Sequence, residues 1–263
     1  MSKDFQNLLE NSSKEELTSI LQENPDLMTE QDENGRTLLH HLIFIASKRW
    51  SLHVDDLIAV LLNTPSIDFS IKNNNGSTAL HQCIMACKNN PDMARKVLSP
   101  LLKKAFETNF DFRTLDDKTG KTILQLATIT PCRFAYYGLE TISSQNLNLT
   151  KLVLDNTQNA AIDAYSATGA TAFYYAVNYG NLDRAHTLLQ TGANPRLGND
   201  SHKPLLFVQN LIQEIDASKR AIQETASATI DTRQTDLKQM HNLILAHSTE
   251  NDVDETILGI TKN

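Results

Sequence analysis

Residues 169–197 read GATAFYYAVNYGNLDRAHTLLQTGANPRL, and this stretch decides the fold. A helical pattern starts at Thr171 and breaks at Gly180-Asn181. A second helical pattern runs through Leu188-Leu189 and stops at Gly192, where a glycine suits a left-handed helix C-terminus. The opening Gly-x-Thr-apolar signature recurs upstream, as GRTLLH at 35–40, GSTALH at 76–81 and GKTILQ at 120–125. The spacings between the four glycines are 41, 44 and 49 residues. A weaker fifth copy, KPLLF, occupies 203–207. Each copy leads into two helical patterns and then an Asn/Asp/Gly-rich link suited to a tight hairpin turn. Self-similarity on this scale is the mark of a solenoid of supersecondary units.

On these residues the chain resembles an ankyrin-repeat protein over roughly residues 5–215. The family motif is Thr-Pro-Leu-His at the start of the first helix, on a period of about 33 residues. Thr171, Gly180, Leu188-Leu189 and Gly192-Ala193-Asn194-Pro195 keep the pattern in the fourth copy. The proline is replaced by Leu38, Ala79, Ile123 and Ala172, and only the fifth copy has it, as Pro204. The histidine is His40 and His81, then Gln125 and Tyr174. The resemblance implies structural roles for Gly35, Gly76, Gly120 and Gly169 in the hairpins. It likewise makes Thr37, Thr78, Thr122 and Thr171 helix starts, with His40 and His81 bonding back to the turn and to the neighbouring loop. The extra residues are expected around 48–54, in a second helix extended through Leu101-Leu102, and around 130–148. There Pro131 and Gly138 oppose a continuous helix.

The expected fold is all-α: an ankyrin-repeat solenoid of about five irregular helix–turn–helix repeats with helical caps at both ends. The expected boundaries are 1–32 for N-terminal capping helices and 33–200 for the repeats with their insertions. A last repeat or helical hairpin cap follows at 201–247, then an acidic flexible tail at 248–263. In the first cap, Ser12 or Ser13 with Glu15 or Glu16 three residues on reads as a capping box. In the last, Val208, Ile212, Ile215, Ile222 and Ala226 approach a heptad stripe interrupted by Lys219. A second helix there is expected over Leu237–Ala246, with Met240, Leu243 and Ile244 on one face.

Composition narrows the function. The net charge is −7, which opposes nucleic acid and anionic lipid as main partners. The most apolar stretch, LLHHLIFIA at 38–46, is too short to span a bilayer, and MSKDFQNLLE has no secretory core. Three cysteines give no disulfide framework and fit a reducing, cytoplasmic compartment. Cys83 and Cys87 share a helix face as small core residues, without the further ligands a zinc site needs. His40 and His41 look like a metal pair, yet neighbours on a helix point about 100° apart and rarely hold one ion together. No nucleophile–base motif surrounds Cys132, and Gly169-Ala-Thr-Ala lacks the lysine of a phosphate loop. Neither cofactor nor metal is expected.

Stacked helix pairs with projecting hairpins present an extended surface for protein segments. The expected function is therefore non-enzymatic binding of a protein partner by a monomer. The expected contacts are Lys72, Asn74, Asp116, Asp117, Arg196 and Asn199 on the links. His41, Gln82, Tyr175 and Tyr179 join them on the first helices, the two tyrosines being four apart on one face. Phe134, Tyr136 and Tyr137 concentrate aromatic residues in the third insertion, with burial against the stack as the plainer reading. The irregular repeats and the acidic block ENDVDETILGI resemble effectors that intracellular bacteria export by type IV secretion, which would place the chain in host cytosol; the plainer reading of the block is a disordered tail. The alternative is an enzyme or recruiting adaptor on the same scaffold, with activity in the third insertion or the C-terminal hairpin.

Overall fold

The computed structural model describes residues 4–48, 52–89, 92–130, 148–199, 201–210, 213 and 228–246. It divides into two compact units, residues 1–167 and 168–263. Among the described residues, every named element is helical, and the only extended pairing is two isolated bridges, Lys72 with Thr78 and Asp116 with Lys121.

The first unit begins with α1 (Phe5–Asn11) and α2 (Lys14–Glu23). Ser13 caps α2: its side chain accepts from the Glu16 N–H, and Glu16 reaches back to the Ser13 N–H. The expected capping box is present, with Ser13 and Glu16 as its members. Phe5, Leu9, Leu17 and Leu21 are buried, while Lys14, Glu15, Glu16 and Glu23 face water. This is the polar outer side that a terminal layer needs.

Three helix pairs follow. They are α3 (Leu38–Lys48) with α4 (Leu52–Asn63), α5 (Ala79–Ala86) with α6 (Ser99–Glu107), and α7 (Ile123–Ile129) with α8 (Leu149–Thr157). The first helices stack in order, α3 on α5 on α7, and the second helices form the other layer, with α2 on α4 and α6 on α8. The core between the layers is aliphatic: Leu39, Leu42, Leu57, Leu61, Leu80, Ile84, Leu101, Leu102 and Leu124 are all buried. The second helix of the second repeat does extend through Leu101-Leu102, and it does so by a change of register. Residues Met93–Leu98 form π-helical turns, in which the Ser99 N–H bonds Ala94. Pro100 follows at once and has no N–H for the helix ladder. The wider turn admits the proline without ending the helix.

The second unit contains α9 (Ala172–Asn178), α10 (Leu182–Gln190), a helical run over 204–210, and α11 (Ala228–Ala246). α10 packs on α9 and on α11. The last helix starts nine residues before the expected Leu237, and Leu237, Met240 and Ile244 are buried along it. Val208 is buried, while the rest of the heptad stripe lies outside the described residues. So do Trp50, the 131–147 insertion with Cys132, Phe134, Tyr136 and Tyr137, and the acidic tail. Among the described residues no helix is long and apolar enough to cross a membrane.

Candidate partner-binding surface

The hairpins are built one upon the next. Asp32 opens the first, its Oδ1 accepting from the Asn34 and Arg36 N–H groups at 2.8 Å each. Asn73 does the same for the second, accepting from Asn75 at 2.9 Å and Ser77 at 3.2 Å. Asp116 opens the third and accepts from Thr119 at 2.7 Å and from the Ser77 hydroxyl. Burial pushes the Asp116 carboxyl up, but the Ser77 and Thr119 hydrogen bonds outweigh it and leave the group below its ordinary value. The hairpins then join to one another. The Asn74 N–H donates to Asn34 O at 2.9 Å, Asp117 to Gly76 O at 3.1 Å, and Ala167 to Gly120 O at 2.8 Å. In the second unit, Asn199 donates to Gly169 O at 3.1 Å. The motif glycines have φ of +70°, +72°, +63° and +79°. They are needed for space as well: a Cβ on Gly76 would lie 2.2 Å from the Asp117 Cβ.

The residue three after each threonine links hairpin to helix. The Thr37 N–H donates to His40 Nδ1 at 3.3 Å, and His40 Nε2 lies 3.1 Å from Ser77 O. A carbonyl only accepts, so Nε2 carries the proton and Nδ1 is the acceptor. His81 repeats this with the Thr78 hydroxyl at 2.7 Å and Thr114 O at 3.2 Å. Gln125 reproduces both ends with an amide. Its Oε1 accepts from the Thr122 N–H at 2.9 Å and its Nε2 donates to Ala164 O at 2.7 Å. Tyr174 instead places a ring edge-on to His202 and Phe207, with centroids 4.9 and 5.6 Å away. Burial holds His40 below its ordinary pKa and takes His81 down to about 4.

Several residues expected to face a partner are occupied within the fold. Asp116 is fully buried. His41 is 8% exposed: its Nε2 is 3.0 Å from Asp32 Oδ2, and Phe5 of α1 covers its ring at 5.8 Å. The terminal helix thus occludes the surface assigned to His41. Asn74 and Asn199 bond the preceding hairpin through side chain as well as backbone, to Glu33 O and Thr168 O. Lys72 and Asp117 pair with each other across neighbouring hairpins and keep partial exposure. Gln82 is half-buried, its amide donating to His40 O at 3.2 Å. The Arg196 N–H donates to Asn194 Oδ1, and its side chain is half-buried.

The tyrosine pair separates. Tyr175 is 8% exposed and Tyr179 62%. α9 ends at Asn178, so Tyr179 is the cap residue and no longer shares the helical face. Tyr175→Ala is expected to destabilise the fold by about 2 kcal/mol, and Tyr179→Ala by less than about 0.5 kcal/mol. Chemical denaturation with CD detection compares them directly.

A further register repeats along the first helices. Seven residues after the threonine stand Phe44 on α3, Met85 on α5 and Ile129 on α7. Phe44 is 38% exposed and Met85 42%, and Ile129 is partly exposed. The signal was available as apolar residues repeating at one offset from the motif threonines. Lys48 lies over the Phe44 ring at 5.7 Å.

Comparison with known proteins places this geometry. The ankyrin repeat family matches residues 168–200. A structure of EF0377, an ankyrin repeat protein, is similar at TM-score 0.58 and 16% identity, covering 89% of this chain and 96% of that one. The ankyrin repeat domain of Bcl-3, a member of the IkappaB family, is similar at TM-score 0.54 and 20% identity, covering 76% and 75%. A chain in the complex of the Bdellovibrio bacteriovorus endopeptidase Bd0816 with immunity protein Bd3460 is similar at TM-score 0.52 and 19% identity, covering 91% and 99%. Searching curated proteins by sequence gave no match. With a family match in the fourth copy and the same fold across most of its length, the chain is an all-α protein with the ankyrin-repeat solenoid fold.

Proposed function

We propose that the chain is a non-enzymatic protein-binding module, whose contact surface in the first unit is the apolar register on α3, α5 and α7. The observation that carries this reading is the exposure of Phe44 and Met85 at one position of successive helices whose other large apolar residues are buried. Large apolar side chains aligned on a surface mark interaction sites, and they concentrate binding energy when desolvated. The half-buried Gln82, one turn before Met85 on α5, adds a polar contact, and the Lys72–Asp117 pair offers another on the hairpins. In the second unit the exposed Tyr179 offers a contact of similar chemistry. Non-enzymatic binding fits the histidines: His40 and His81 have both ring nitrogens engaged, which leaves neither as a base. A protein complex among the chains of similar fold agrees with a protein partner. The reading as an exported effector rests on the irregular repeats and on the acidic block ENDVDETILGI, which lies outside the described residues.

Capture from a cell lysate tests the reading. Full-length protein is expected to retain a partner that Phe44→Glu with Met85→Glu loses by about 30-fold in affinity, at unchanged melting temperature. Equal retention by both proteins would move the contact surface elsewhere.

A further inference from the structure

The third repeat departs from its neighbours just after α8. After α6 one residue, Asn109, turns left-handed, at φ +57°. After α8 there are three: Gln158 at +49°, Asn159 at +61° and Ala161 at +57°. An L-residue with a Cβ pays roughly 1–2 kcal/mol for that conformation, and Ala161 has no side-chain polar group to compensate. Chain length does not account for the difference. The carbonyl held by the preceding repeat, Thr114 O in one link and Ala164 O in the other, lies seven positions past the end of α6 and of α8 alike. The link after α8 makes successive turns, with Ala160 donating to Thr157 O, Ile162 to Asn159 O and Ala164 to Ala161 O. The far end cannot relax, because Gln125 holds Ala164 O and Gly120 holds the Ala167 N–H. Strain kept in place by its surroundings concentrates at functional sites.

The strained loop walls a depression of about 480 Å³. Its lining includes Asn159, Ile162, Asp163 and Tyr165, with Arg113 from the preceding repeat. Such a volume suits a small ligand or one peptide residue. Arg113 is exposed, and its guanidinium forms no ion pair among the described residues. Tyr165, 48% exposed, puts an aromatic ring where the preceding repeat has Leu115. From these groups we infer that the depression is a binding site for the free C-terminus of a partner polypeptide ending in an apolar residue. A guanidinium matches a carboxylate through two parallel N–H···O bonds. A carboxylate such as Asp163 has several acceptor positions, so it can take the terminal residue's N–H in addition to the interaction it already makes. Ile162 and Tyr165 offer apolar surface to the last side chain. This site does not depend on the Phe44–Met85 register.

The test titrates full-length protein with acetyl-Ala-Ala-Leu as the free acid and as the C-terminal amide, followed by backbone NMR shifts. The acid is expected to perturb residues 113 and 159–165, and the amide to bind at least about tenfold more weakly. Arg113→Gln, an exposed change, should erase the difference between acid and amide. Tyr165→Ala should erase the preference for Leu over Ala at the last position. Phe44→Glu should leave all of this unchanged, so failure of the inner-face reading is distinguished from failure here. Equal binding of acid and amide, shifts confined to other residues, no binding at millimolar peptide, or discrimination that survives in Arg113→Gln would each overturn the assignment. Equally tight binding of acetyl-Ala-Asp-Leu-amide would overturn the preference for a chain terminus.

Discussion

Gly120→Val is expected to destabilise the protein by about 4 kcal/mol, the sum of two effects. The first is conformational: φ is +63°, which a β-branched residue strongly disfavours. The second is steric, because even a bare Cβ would lie 2.7 Å from the Cβ of Ala167. Moving Ala167 away would also stretch its 2.8 Å hydrogen bond to Gly120 O. Thermal unfolding should drop on the order of 10 °C for a unit of this size. Gly180 is the control, with φ of +65° and nothing within 4 Å of a built Cβ. Gly180→Ala should cost only the backbone part, about 1 kcal/mol, and Gly120→Ala clearly more. Equal losses would mean that contact between hairpins contributes nothing.

Acid should weaken the fold well before its carboxylates protonate. The His81 imidazole is pushed by burial from about 6.5 to about 4, against the pull of the Asp116 carboxylate. The folded chain therefore resists a proton that the unfolded chain accepts. The stability from neutral His81 is complete above about pH 6.5 and is lost as pH falls to about 4, a change of about 3 kcal/mol. His40, shifted the same way, adds to the same slope. Asp32 and Asp116, held below ordinary values, add their own loss only at lower pH, beneath about 3.8. His81→Gln should fold, since Gln125 already fills the equivalent place with both hydrogen bonds. It should remove most of the slope between pH 6.5 and 4 in urea titrations. A variant with the wild-type slope would assign the acid sensitivity to other groups.

What could be read from the chain was what a single repeat encodes within itself. Thr78 and Thr122 start their helices as the motif implies, Ser13 and Glu16 close the capping box, and the glycines turn left-handed. Each involves residues within a few positions, where spacing determines geometry. The candidate contacts depended on what the next layer does, and spacing carries little of that. Nothing in RTLLHH says that Phe5, thirty-six residues earlier, will cover His41. Asp116 looked like a loop charge because its partner hydroxyl, Ser77, belongs to the preceding repeat. Tyr175 and Tyr179 were paired by helical spacing, and the helix ended one residue too soon.

The hairpin-to-hairpin bonds also bear on how freely such a chain can lengthen. Asn74 closes on Asn34 across 40 residues, Asp117 on Gly76 across 41, and Ala167 on Gly120 across 47. For a flexible segment the entropy of closing a loop grows only with the logarithm of its length, so the step from 40 to 47 costs about 0.1 kcal/mol. A single ladder bond is worth about 1 kcal/mol, several times more. Insertions behind the ladder, such as the π-turn helix, thus carry little loop-closure penalty while the glycine, the threonine and the bonded loop residue keep their places. New surface can accumulate in one repeat without the others registering the change.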